Sequence, residues 1–156
     1  MKKILTVIVF ISSMSLFSQE QKPVIHLSHW SFGIDTEYMI TIKPDSKSGI
    51  VSLKIFKEKE SELDYSNPII RKITMKDYNK VLKSIFKISV KDLIIDTGLM
   101  SESATFTIGV GDADNGFEYH IKGVHSDLLG TKFEDFFKST KLILELAELK
   151  QIGITE

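Results

Sequence analysis

The run from Ser103 to Gly123, SATFTIGVGDADNGFEYHIKG, constrains the fold more than any other part of the chain. Apolar residues take every second position on both sides of Asn115-Gly116, a pair that readily adopts the positive φ angles of a type I′ turn. The pattern predicts two antiparallel strands, with Asp114 opposite Phe117, Asp112 opposite Tyr119 and Val110 opposite Ile121. In that register Ala104, Phe106, Ile108, Val110, Phe117, Tyr119 and Ile121 share one face. Ser103, Thr105, Thr107, Glu118, His120 and Lys122 share the other. Such a hairpin belongs in a sheet with one covered side.

Earlier segments have the same period. Val24, Ile25 and Leu27 form a short first strand ending near His29-Trp30, and Thr36 to Lys43 puts Tyr38, Ile40 and Ile42 on one face and Glu37, Met39, Thr41 and Lys43 on the other. After the breaker-rich loop Pro44 to Gly49, the alternation resumes with Val51, Leu53 and Ile55, and the short connection makes this pair antiparallel. Ile69 to Ile73 is a further strand, and the apolar run Leu93 to Ile95 is assigned to another.

Two stretches have helical period instead. Thr74 is an N-cap, with Asp77 in the capping-box position, for a helix with a stripe of Tyr78, Val81, Leu82, Ile85 and Phe86, running to about Ile88. Lys76, Lys80, Lys83 and Lys87 occupy its solvent side. Thr131 and Glu134 form a capping box for a last helix with Phe133, Phe136, Phe137, Ile143 and Leu144 on its stripe, and Gly153 is placed to end it. The order of elements predicts a single α+β domain: a mainly antiparallel sheet of about five to seven strands with two α-helices packed on it. Both helices on one face is the preferred arrangement, and opposite faces the competing one.

Residues 1–19 are expected to be a cleaved signal peptide, leaving 20–156 as the domain. Lys2 and Lys3 precede the apolar run Ile4 to Ile11, and small residues from Ser12 to Ser18 lead to a cleavage point. A membrane span needs about twenty apolar residues, and the serines interrupt the run too early. The expected location is periplasmic or secreted. The chain has no cysteine, which excludes a disulfide, a thiol nucleophile, a cysteine-linked lipid and a thiolate zinc site. Without Lys2 and Lys3 there are 18 basic and 21 acidic residues, a formal charge of −3 that argues against a nucleic-acid binder.

Catalytic signatures fail at identifiable points. Gly109-Val-Gly111-Asp-Ala-Asp114 lacks the third glycine of a dinucleotide loop and runs into a hairpin, not a helix. Asp112-Ala-Asp114-Asn115-Gly116 alternates oxygen donors like a calcium loop, but its glycine is fifth and a glycine, Gly123, stands where the bidentate glutamate belongs. His26 and His29 are three apart and point to opposite faces of a strand, and with His120 and His125 they read as solvated surface histidines. No HExxH motif, nucleophile elbow or phosphate loop is present. The expectation is a non-enzyme that uses no cofactor or metal.

Two candidate binding regions remain. Trp30 and Phe32, in a loop after the first strand, together with the alternating acids Glu58, Glu60, Glu62 and Asp64, would contact a partner protein if the acidic run were extended. Thr105, Thr107, Glu118 and His120, on the polar face of the hairpin, would bind a small ligand or a cell-envelope polysaccharide. A small exported α+β domain of this kind resembles, in general class, exported inhibitors and the immunity proteins that bacteria direct against toxins. The resemblance implies a protein partner as the first expectation.

Overall fold

The computed structural model describes residues 22–30, 37–59, 62–89, 105–112, 115–122 and 133–149. Its centre is an antiparallel sheet of β1 (Val24–Trp30), β2 (Tyr38–Pro44), β3 (Val51–Lys59), β5 (Ile69–Ile73), β6 (Thr105–Gly111) and β7 (Gly116–Lys122). A two-residue strand, β4 (Glu62–Leu63), pairs with the far end of β3, and β5 pairs with its first half along the same edge. Across the sheet the order is β5-β3-β2-β1-β6-β7. The predicted run Leu93 to Ile95 lies outside the described residues.

Alternation decides which side is buried. Ile25, Leu27, Tyr38, Ile40, Ile42, Val51, Leu53, Ile55, Phe106 and Ile108 all point to one face and are buried. Helices α1 (Met75–Ile85) and α2 (Glu134–Ala147) cover that face and join the same core through Tyr78, Val81, Ile85, Phe136, Ile143 and Leu144. The two helices therefore share one face of the sheet. Where they meet, the Ser84 and Ser139 hydroxyls bond at 2.8 Å, so the polar atoms in that contact are satisfied.

α1 starts as predicted. The Asp77 N–H donates to Thr74 Oγ1 at 3.1 Å, and the Thr74 N–H to the Asp77 carboxylate at 3.3 Å, closing the capping box. Phe86 departs from its predicted stripe: it is 60% exposed and tilts against Phe117 at 5.9 Å. α2 starts with Phe133 in the cap position and no side-chain cap bond, whereas the sequence pointed to Thr131, which lies outside the described residues. The Phe133 ring at that entry is buried in the core. The helix stops at Glu148, a non-glycine in the left-handed region (φ 53°), whose carboxylate pairs with Arg71 of β5. Gly153 lies beyond the described residues.

The hairpin departs from the predicted register. Val110 faces Phe117 and Gly111 faces Gly116, so a loop of residues 112–115 replaces a two-residue turn. Neither Asn115 nor Gly116 takes a positive φ; Gly111 does, at 143°. The Asp112 side chain explains the longer loop: its Oδ1 accepts the Asn115 N–H at 2.8 Å while the Asp112 N–H donates to the Asn115 carbonyl at 2.9 Å. A Cβ on Gly111 would lie 2.3 Å from the Asn115 carbonyl oxygen, a second reason for glycine there. Val110 is displaced by four residues along its partner, an even number, so Phe106, Ile108, Val110, Phe117, Tyr119 and Ile121 still share one face, and Thr105, Thr107, Glu118 and His120 the other.

Two tyrosines separate a satisfied hydroxyl from an unsatisfied one. Tyr78 Oη donates to the Pro23 carbonyl at 2.7 Å, tying α1 to the start of β1, and burial pushes its pKa up to about 12. Tyr38 Oη is buried with no partner among the described residues, and burial pushes its pKa well above the ordinary range. Tyr78→Phe is expected to lower unfolding free energy by about 1 kcal/mol, and Tyr38→Phe to leave it unchanged or raise it by up to about 1 kcal/mol. Urea denaturation of both variants checks the difference in sign.

Candidate functional site

The open face of the sheet is set by the same parity as the core. On β1, β6 and β7 it carries three cross-strand rows: His26–Gly109–Glu118, Ser28–Thr107–His120 and Trp30–Thr105–Lys122. Trp30 is the last residue of β1, not a loop residue, and stands directly opposite Thr105 with 43% of its surface exposed. The tryptophan expected to anchor a partner and the polar residues expected to hold a ligand thus occupy one surface. No helix among the described residues packs on it.

Glu118 organises the first two rows. Its Oε1 meets His26 Nε2 at 2.8 Å and its Oε2 meets His120 Nε2 at 3.1 Å, so one carboxylate orients two imidazoles. The other nitrogen of His120, Nδ1, bonds Thr107 Oγ1 at 3.0 Å. In neutral His120, Nε2–H donates to the carboxylate and Nδ1 accepts from the threonine hydroxyl. The bond to His26, with the two imidazoles' charge, holds the Glu118 carboxyl below its ordinary range.

His26 reaches across β6 only because residue 109 is glycine. A Cβ there would lie 2.0 Å from His26 Cε1 and Nε2. The sequence placed His26 on a strand face but gave no hint of Glu118, 92 residues away, as its partner. The mid-strand glycine was the available signal, since such a residue often marks close approach by a neighbouring group. His29 corrects the surface reading: it is 3% exposed, stacked 5.2 Å from Tyr38 and tilted on Phe106 at 4.4 Å. Its opposite orientation from His26 is as expected.

The acidic ridge does not form. The backbone reverses within it, placing Glu58 opposite Leu63 and Lys59 opposite Glu62, so the acids do not line one extended strand. Asp64 lies beyond the reversal and caps a turn, accepting from the Ser66 N–H at 2.9 Å and Asn67 Nδ2 at 3.2 Å. Those bonds, led by the one from the Ser66 hydroxyl, lower its pKa to about 2. Glu60, Phe32 and His125 lie outside the described residues.

Next to the network, an open groove of about 1030 Å³ crosses β2 and β3, floored by Thr41, Lys43, Ser52, Lys54 and Phe56. The hairpin tip forms one wall through Gly111, Asp112 and Asn115, and the same three residues line a smaller hollow of about 410 Å³ that opens on His26 and Glu118. Among the described residues no three histidine or acidic side chains are placed to hold a metal ion, and the two imidazoles face different oxygens of Glu118. The chain matches no known family model and no curated protein sequence.

Gly109→Ala is expected to push the His26 ring off Glu118, because the tip of that side chain is what must move. Imidazole NMR should then show His26 shifting as it does in Glu118→Gln, and an unchanged His26 signal would contradict the row. The lowered Glu118 pKa has a definite sign: its stabilisation is present above the ordinary carboxylate range and lost as pH falls through the folded value. Glu118→Gln should therefore lose less stability than the wild type between about pH 5 and pH 3, as measured by urea midpoints.

Proposed function

We propose that this is a non-enzymatic binding protein acting outside the cytoplasm, and that the open sheet face around Trp30 is its recognition surface for a cell-envelope glycan. One observation carries the reading. Trp30, Thr105, Thr107, Glu118 and His120 share a face with His26, and the polar atoms of the network are held in place by one another. An indole offers a flat apolar platform, and oriented carboxylate, imidazole and hydroxyl groups fix direction, a combination suited to a ligand with an apolar face and a polar edge.

A protein partner, as for an inhibitor or immunity-type protein, is the second reading. Phe86 and Phe117 favour it: they meet at 5.9 Å on the helix side of β7 and are 60% and 37% exposed. Aromatic side chains of this kind are enriched at protein interfaces.

The test is thermal shift and calorimetry of the mature chain against a panel of envelope oligosaccharides, with Trp30→Ala and Phe86→Ala variants. A glycan ligand should raise the melting temperature, and Trp30→Ala should weaken its binding at least about tenfold with the fold intact. Equal binding by Trp30→Ala would remove the face from the proposal. A panel with no shift, together with an exported protein captured in a Phe86-dependent way, would establish the second reading instead.

A further inference from the structure

We infer that the ligand of this face is an acidic polysaccharide, its carboxylates read by Lys43, Lys54 and Lys72. The inference rests on the open face being the recognition surface, and it specifies the ligand's charge. Lys43 of β2, Ser52 of β3 and Lys72 of β5 stand in one cross-strand row, and Lys54 is two residues along β3 on the same face. Strand geometry spaces Lys43 and Lys72 by about 10 Å, with Lys54 about 7–8 Å from each along the diagonals. All three side chains are exposed, and none pairs with a carboxylate among the described residues.

The acids that line the groove already have backbone or side-chain donors. Asp45 accepts from the Lys47 N–H at 2.9 Å and the Ser48 hydroxyl at 2.6 Å, and Asp112 accepts from the Asn115 N–H at 2.8 Å. The chain as a whole carries a formal charge of −1, so this patch is a local segregation of charge and not a by-product of a basic protein.

The spacing selects the class of polyanion. Duplex nucleic acid presents one charge per about 1.7 Å, far denser than three lysines can match. A polyuronate carries one carboxylate per acidic sugar and offers apolar ring faces between them. Phe56, partly buried in the groove floor among Thr41, Ser52 and Lys54, is placed to take such a ring face while the hydroxyls meet the sugar's polar edge.

The experiment titrates the mature protein with oligogalacturonate, with its methyl-esterified uncharged form and with duplex DNA of matched length. Oligogalacturonate should bind best and weaken as salt rises. The double variant Lys43→Glu/Lys54→Glu should lose at least about tenfold in affinity, while Lys76→Glu/Lys80→Glu on α1 should lose little. These lysines are exposed, and Lys43→Gln/Lys54→Gln serves if the reversal does not fold. Equal affinity for the methyl ester, tighter binding of DNA, or unchanged binding by the groove variant would each overturn the inference. If the methyl ester binds in a Trp30-dependent manner, the face remains the recognition surface and only the charge reading falls. If oligogalacturonate binding survives both Trp30→Ala and the groove variant, both readings fall.

Discussion

The ladder between β1 and β6 holds the described sheet together. Seven residue pairs, Val24–Gly111 through Trp30–Thr105, join a meander at the start of the domain to a hairpin near its end. Those strands are about eighty residues apart in sequence, so the ladder forms only after a large loop has closed, and burial of Ile25, Leu27, Phe106 and Ile108 beneath it must offset that entropy. Core and candidate site both depend on this pairing. It completes the apolar layer under the helices, and on the opposite side it brings His26 within one strand of β7.

A glycine inside this ladder, Gly109 opposite His26, has opposite effects on the two faces. On the core side, its neighbours Ile108 and Val110 fill the space beneath. On the open side, the absent Cβ lets an imidazole lie over the strand and reach a carboxylate two strands away. A strand this central would ordinarily gain from a β-branched residue, so glycine here gives up local sheet preference for a lateral contact. The result is a surface whose polar groups are oriented before any ligand arrives, which lowers the ordering cost of binding.

How much of this was legible follows from the range of each signal. Side-chain parity is local, and it assigned Tyr38, Ile40, Val51, Leu53, Phe106 and Ile108 to the core and Thr105, Thr107, Glu118 and His120 to the open face. The capping box at Thr74 is equally local, and it forms. Lateral order is not local: nothing near His26 identifies β6 as its neighbour, so the row to Glu118 was invisible. The acidic run failed because alternation of charge says which side residues take if the chain is straight, not whether it is straight.

The hairpin tip sets a rule for how this protein can vary in length. Its faces survived a change from a two-residue to a four-residue connection because strand geometry counts in twos. Residues gained or lost in pairs at 112–115 would slide the tip outward or inward and leave the histidine–glutamate surface and the aromatic core in phase. A single residue inserted within β6 or β7, and not in the loop, would have to be absorbed as a bulge or would turn that strand over, exchanging Tyr119 with Glu118. Length variation at this tip should therefore be confined to the loop, where no side chain's face depends on the count.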